Sequence, residues 1–205
     1  MLPALSEAKA RGQGAMRQKT CDYLVIGAEH ILFGWDHLLF VIALVLLIGN
    51  WRRVVVAATA FTISHSITLA AASLGFVGLP QKPVEALIAL SILFLALEIV
   101  RSDPGQPTLT RRFPWVVAFL FGLLHGFGFA GALAEIGLPQ DDLVAALLAF
   151  NIGVEAGQLL VIGLLLGTIA AARKFAPAAL SPAIRAASYG IGIIGAYWLI
   201  DRVVG

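Results

Sequence analysis

Long runs of apolar residues, separated by short polar breaks, dominate the pattern of this chain. A helix needs about 20 consecutive apolar residues to cross a bilayer. Between the runs lie turn and charge signals such as "GNWRR" at 49–53 and "GLPQKP" at 78–83. No strand-like alternation of apolar and polar residues is seen. The sequence therefore predicts an all-α, polytopic membrane helix bundle with about six transmembrane helices, over residues 23–49, 54–76, 83–101, 113–135, 142–172 and 180–202.

Composition and charge support a membrane domain at 23–205 behind a polar N-terminal tail, 1–22. The chain is 60% hydrophobic and 13% charged, with a mean hydropathy of +0.92, whereas soluble domains are about 45–50% apolar and about 25% charged. The tail has basic residues but no apolar core followed by a cleavage site, so we do not expect a signal peptide. The net charge of +2 is too small to indicate nucleic acid. Membrane lipids are the expected partners, and the sequence leaves open whether copies associate as a homo-oligomer.

The distribution of Lys and Arg predicts the orientation, because short cytoplasmic loops are enriched in these residues. One predicted side holds eight of them and the other holds two, or six when the tail is counted. Both termini are therefore predicted to lie outside. The eight are Arg52, Arg53, Arg101, Arg111, Arg112, Arg173, Lys174 and Arg185.

Four histidines lie inside the predicted spans, where a polar group is costly and usually marks function. His30 and His37 are seven residues apart and share one face of a helix, with Asp36 beside them. His65 and His125 lie near the middle of the second and fourth spans. Because these depths are compatible, we expect one shared site.

The fifth span adds a polar stripe at i, i+4 and i+7, formed by Asn151, Glu155 and Gln158. Imidazole and carboxylate together suit Zn²⁺, Ni²⁺, Co²⁺ or Fe²⁺. Cys21 is the one cysteine of the chain, which excludes a cysteine-based cluster. The predicted ligands of a divalent transition metal, with Ni or Zn favoured, are His30, Asp36, His37, His65, His125 and Glu155. Side chains predicted to orient these ligands are Ser64, Asn151 and Gln158.

Pairs of glycines four residues apart predict close helix packing, since small residues let helix backbones approach each other in lipid. The pairs are Gly122 with Gly126, Gly153 with Gly157, and Gly163 with Gly167.

Several motifs in order resemble the HupE/UreJ family of bacterial membrane proteins. They are "HILFGWDHLLFVIAL", "TAFTISHSITLA", "VEALIALSI", "FLFGLLHGFGFA" and "FNIGVEAGQL", which together cover roughly residues 24–165. The resemblance implies a multi-span protein of the bacterial inner membrane, acting as a nickel permease or as an accessory protein of hydrogenase and urease. It also implies that His30, Asp36 and His37 are metal-related, with His65 and His125 in the matching later motifs.

Three functions remain open from the sequence. The first is transport of a divalent transition metal of the nickel type through the His/Asp/Glu site. The second is an intramembrane zinc-dependent hydrolase acting on a lipid or amide, with Glu155, Asp36 and Ser64 as candidate catalytic residues. The third is a scaffold for metalloenzyme assembly, in which the polar network only fixes helix register. The sequence favours transport over catalysis.

Overall fold

The fold is entirely helical in the part of the chain that the structure, a computed structural model, describes: residues 20–102, 108–136 and 143–205. No β-strand occurs in these residues, so the prediction of an all-α fold is confirmed. Residues 1–19 of the predicted tail lie outside the described part. The helices are α1 (Thr20–Phe33), α2 (Trp35–Ile48), α3 (Trp51–Ser73), α4 (Gln81–Arg101), α5 (Leu109–Arg112), α6 (Pro114–Ile136), α7 (Leu143–Phe175) and α8 (Pro177–Val204).

The predicted six spans are confirmed in part. Among the described residues, α3, α4, α7 and α8 are long and apolar enough to cross a membrane, and the bent pair α1 and α2 counts as a fifth span if it crosses as one unit. In α6, the stretch Pro114–Phe129 forms a shorter apolar helix. Four to five spans are thus supported by length and composition, and six are not confirmed.

The first predicted span is broken at Gly34, where the axes of α1 and α2 meet at 68°. Gly34 has an extended conformation, with φ −75° and ψ 98°. Its N–H still donates to the carbonyl of His30 at 3.0 Å. A Cβ atom at this position would clash with that same carbonyl oxygen. The tight bend therefore requires glycine, and the continuous helix expected from the apolar pattern does not form.

Two of the predicted glycine pairs do pack against neighbouring helices. Cβ atoms at Gly122 and Gly126 of α6 would clash with backbone carbonyls of α3, which packs along α6. A Cβ atom at Gly153 of α7 would clash with a backbone carbonyl of α1. The third pair differs, because Cβ atoms at Gly163 and Gly167 would meet nothing within 4 Å among the described residues. Backbone contact thus joins α3 to α6 and α1 to α7, and three of these helices, α1, α3 and α6, each carry one of the four histidines.

Candidate metal centre

The bend at Gly34 brings His30 of α1 and His37 of α2 together. On a straight helix, residues seven apart are separated by about 10.5 Å along the axis. Here the two imidazole rings lie with centroids 4.3 Å apart. The predicted pairing of these histidines is therefore present, but it depends on the broken helix rather than on a shared face of a continuous one.

His65 of α3 completes a group of three imidazoles. One nitrogen from each of His30, His37 and His65 lies within 4.8 Å of the others. Zinc–imidazole bonds are about 2.0–2.1 Å long, so two nitrogens on one such ion are at most about 4.2 Å apart. Shifts of less than about an ångström would allow all three to bind one ion. His65 is completely buried and His37 is 2% exposed, so the group lies in the interior of the bundle.

The ring nitrogens of the histidines supply a test of whether a metal fits. Among buried side-chain atoms in the described ranges, several imidazole nitrogens have no hydrogen-bond partner: Nε2 of His30, His37 and His125, and both ring nitrogens of His65. Buried polar atoms are normally paired, because an unpaired one costs free energy. A cation bound by His30, His37 and His65 would pair one nitrogen of each ring, so the donor set fits a transition metal.

Two of the histidines are oriented so that Nε2 carries the free lone pair. The Nδ1–H of His37 donates to Oδ1 of Asp36 at 3.1 Å. The Nδ1–H of His125 donates to the carbonyl of Phe121 at 2.8 Å. A hydrogen bond of this kind to a carboxylate or carbonyl is the usual support of a metal-binding histidine. Asp36 is thus placed to orient a ligand, and no bond to a metal is needed to explain its position.

His125 of α6 adjoins the group without joining it. Its ring centroid lies 4.9 Å from that of His37, and its side chain is completely buried. Gly122 and Gly126, next to it along α6, allow the close approach to α3 described above. Because these glycines let α6 approach α3 closely, the imidazole of His125 lies next to the group of three histidines.

Phenylalanine side chains surround the imidazoles, a feature that the sequence reading missed. Phe129 lies 3.9 Å from His30 between ring centroids, and Phe61 lies 5.0 Å from His125. Phe150 stacks on Phe129 at 5.2 Å. The signal was present in "FLFGLLHGFGFA" and "FNIG", where phenylalanines flank the polar motifs. These rings limit water around the nitrogens, which strengthens electrostatic interactions there.

The structure does not bring Glu155 into the group of three histidines. Its two carboxylate oxygens accept hydrogen bonds from the hydroxyl of Thr59 at 2.7 Å and of Thr62 at 2.5 Å. Thr62 also lies 3.1 Å from Oε1 of Gln158. Thr59 and Thr62 are three residues apart, so they lie on the same face of α3. This spacing in the sequence indicates a polar face on α3 that can pair with Glu155 and Gln158 of α7. Glu155 and Gln158 therefore belong to a second polar cluster.

Asn151 and Ser64, both predicted to orient ligands, occupy different surroundings. The Asn151 amide donates to the carbonyl of Leu147 at 2.7 Å, and its Oδ1 is buried without a partner. This side chain approaches His65, although no hydrogen bond between the two meets the usual limits of distance and angle. The Ser64 hydroxyl donates to the carbonyl of Phe61 at 2.9 Å and packs against Gly122. Ser64 is thus a packing residue at the contact between α3 and α6.

Fold and site together define a multi-pass helical membrane protein with a buried histidine cluster suited to a metal. The model of the family described as HupE / UreJ protein matches residues 6–202 of the chain. The chain therefore belongs to the HupE/UreJ family. The family is linked to the handling of metal ions. No curated protein and no solved structure matches the chain.

Proposed function

We propose that this chain is a permease for divalent transition metals of the nickel type, located in the bacterial inner membrane. The observation that carries the proposal is the group of three imidazoles within 4.8 Å of one another inside a bundle of apolar helices. Imidazole nitrogen is a good ligand for Ni²⁺ and Zn²⁺, and a poor one for Mg²⁺ or Ca²⁺. Membership of a metal-linked family supports the same cargo.

In this proposal His30, His37 and His65 hold the cation, His125 offers a further nitrogen, and Asp36 orients His37. The ligands come from three different helices, α1, α2 and α3. Glu155 is not needed as a ligand, since its carboxylate accepts bonds from Thr59 and Thr62.

The predicted orientation, with both termini outside, is part of the proposal and requires an even number of spans. The Arg53 guanidinium of α3 donates to the carbonyl of Arg111 of α5, and Arg111 donates to the carbonyl of Leu47 at the end of α2. Basic residues from separate loops thus lie together at one end of the bundle. Such an end is expected to face the cytoplasm.

Metal uptake by proteoliposomes tests the proposal. Vesicles that contain the wild-type chain should accumulate Ni²⁺, and those with His37→Ala should not, because the variant lacks one of the three imidazoles. Leu164→Ala is a matched control, since Leu164 is an exposed residue of α7 far from the cluster in sequence. If His37→Ala vesicles take up Ni²⁺ as fast as wild type, the histidine cluster does not carry the cation.

An intramembrane zinc-dependent hydrolase is the second candidate. Three nitrogen ligands, one of them oriented by a carboxylate, leave a fourth tetrahedral position for water, as in catalytic zinc sites. The predicted catalytic residues support it less well, because Glu155 accepts bonds from two threonines and Ser64 is packed between helices. Tightly held zinc that does not exchange, together with turnover of a lipid or amide lost in Glu155→Gln, would favour this candidate over transport.

A further inference from the structure

A cavity of about 300 Å³ lies between α2, α4 and α8, beside the histidine cluster. Asp36, Glu85 and Arg202 contribute the charged part of its lining, and Trp35 and Trp198 contribute aromatic walls. We call it the entry cavity. The end of the bundle to which Arg202 belongs is the one that the sequence predicts to face outward.

Asp36 connects the entry cavity to the metal centre. Its side chain is 37% exposed, whereas the side chain of His37 directly behind it is 3% exposed. The carboxylate accepts the Nδ1–H of His37 at 3.1 Å, and Nε2 of that ring is buried without a partner. The Asp36 carboxylate thus lines the cavity and also contacts His37, so a cation that reaches Asp36 is one residue away from the cluster.

The second carboxylate of the cavity, Glu85 of α4, is paired with a cation of the protein itself. Nε of Arg202 donates to Oε2 of Glu85 at 3.0 Å. The guanidinium also lies over the ring of Trp198, 5.8 Å from its centroid. Both partners of the ion pair are about one-third exposed. An ion pair with this exposure is weak, and an external cation can displace it.

Close packing of α4 on α8 does not depend on this ion pair. A Cβ atom at Gly195 would lie 3.3 Å from the carbonyl of Ala89, and one at Gly192 would lie 3.4 Å from Cβ of Ala96. Small residues thus allow the two helices to approach closely around Gly192 and Gly195. The Glu85–Arg202 pair is therefore free to serve another purpose.

We propose that the entry cavity is the first binding site of the divalent cation, with Glu85 as the carboxylate that captures it and Arg202 as the competing cation that it displaces. Asp36 is the next carboxylate on the way, and His37 follows. The inference rests on the proposed function, because it assumes that the histidine cluster binds the cation. Carboxylates at the mouth of a cleft raise the association rate of cations, while a guanidinium there lowers it.

The test measures the rate at which Ni²⁺ enters the purified full-length chain in detergent, by stopped-flow competition with a metal-sensitive dye. Glu85→Gln should slow association by about tenfold or more, within the range of electrostatic steering, and Arg202→Gln should accelerate it. Both variants should still bind the same number of Ni²⁺ ions per chain at saturation. Glu98→Gln is the matched control, since Glu98 lies on the same helix about 20 Å away along the axis and its variant should load like wild type.

Opposite effects of the two variants distinguish this role from a structural one. A merely structural ion pair would be broken equally by either substitution, so that both variants would change the rate in the same direction. That result, or a wild-type association rate in Glu85→Gln, overturns the inference. The proposed function remains intact in that case if the wild type binds Ni²⁺ and His37→Ala does not. If the wild type itself binds no Ni²⁺, the proposed function fails, and the inference fails with it.

Discussion

Replacement of Gly34 by alanine should separate two of the metal ligands. A Cβ atom at this position would clash with the carbonyl of His30 and would lie 3.3 Å from Oδ1 of Asp36 and 3.4 Å from Nδ1 of His37. The bend at residue 34 cannot accommodate it without a backbone shift. A straight helix would separate His30 and His37 by about 10.5 Å along its axis, against 4.3 Å between their rings in the structure.

The expected loss of affinity follows from the loss of one imidazole. Binding of Zn²⁺ by four ligands is worth about 10–16 kcal/mol, so one ligand is worth about 3 kcal/mol, or roughly 100-fold in the dissociation constant. Calorimetric titration of Ni²⁺ or Zn²⁺ into the purified chain measures this directly. Circular dichroism of the same sample verifies that the helices are retained.

Gly163→Ala is the matched control for this experiment. Gly163 lies inside α7, and a Cβ atom there would meet nothing within 4 Å among the described residues. The control should bind metal like the wild type. If Gly34→Ala also binds metal with wild-type affinity while the helices remain intact, the broken helix is not what assembles the site, and the reasoning is refuted.

Three other substitutions test separate parts of the account. Asp36→Asn should weaken metal binding by about 10–100-fold, because the neighbouring imidazole loses its carboxylate partner; an unchanged titration would contradict this. Glu155→Gln should leave metal affinity unchanged, since its carboxylate is bonded to threonines of α3, and loss of binding would contradict its exclusion from the ligands. Gly126→Ala should destabilise the bundle by about 1–3 kcal/mol through overpacking against α3. Gly167→Ala should not, because a Cβ atom there would meet nothing within 4 Å among the described residues. Equal thermal stability of the two variants would refute the packing role of Gly126.

The long apolar helices could be predicted from the sequence because they are recorded in the local apolar pattern. Apolar runs of sufficient length define α3, α4, α7 and α8, and their bounds differ from the predicted spans by a few residues. The bounds of a helix depend on the residues of that helix alone, so a single sequence contains enough information to predict them. The spacing of seven also suggested that His30 and His37 pair, but the contact between their rings depends on the bend between α1 and α2.

The break at Gly34 could not be predicted from hydrophobicity, because "LFGWD" has no proline and no loop of polar residues. One signal was present, since Asp36 lies in the first turn of α2, where an acid is favoured. A glycine followed closely by an acid is consistent with a helix start as well as with a continuous helix. The bent geometry leaves no room for a Cβ atom at Gly34, because that atom would clash with the carbonyl of His30, but the apolar pattern alone does not distinguish the bend from a continuous helix.

The position of Glu155 also depended on partners that periodicity does not identify. The stripe Asn151, Glu155 and Gln158 was predicted to line one site with the histidines. In the structure the Asn151 amide donates to the carbonyl of Leu147 on its own helix, while Glu155 and Gln158 contact the threonines of α3. Residues seven apart on α7 are separated by about 10.5 Å, so the residues of one stripe need not share the same partners.

The number of metal ions bound to the purified chain tests the central claim most directly. After equilibration with Ni²⁺ and removal of free ions, elemental analysis of the wild type and of His37→Ala would be compared. Because one group of three imidazoles is present in the described part of the chain, the wild type should hold one ion per chain and the variant none. A wild type without metal, or a variant that keeps its ion, would contradict the assignment of this cluster as the metal centre.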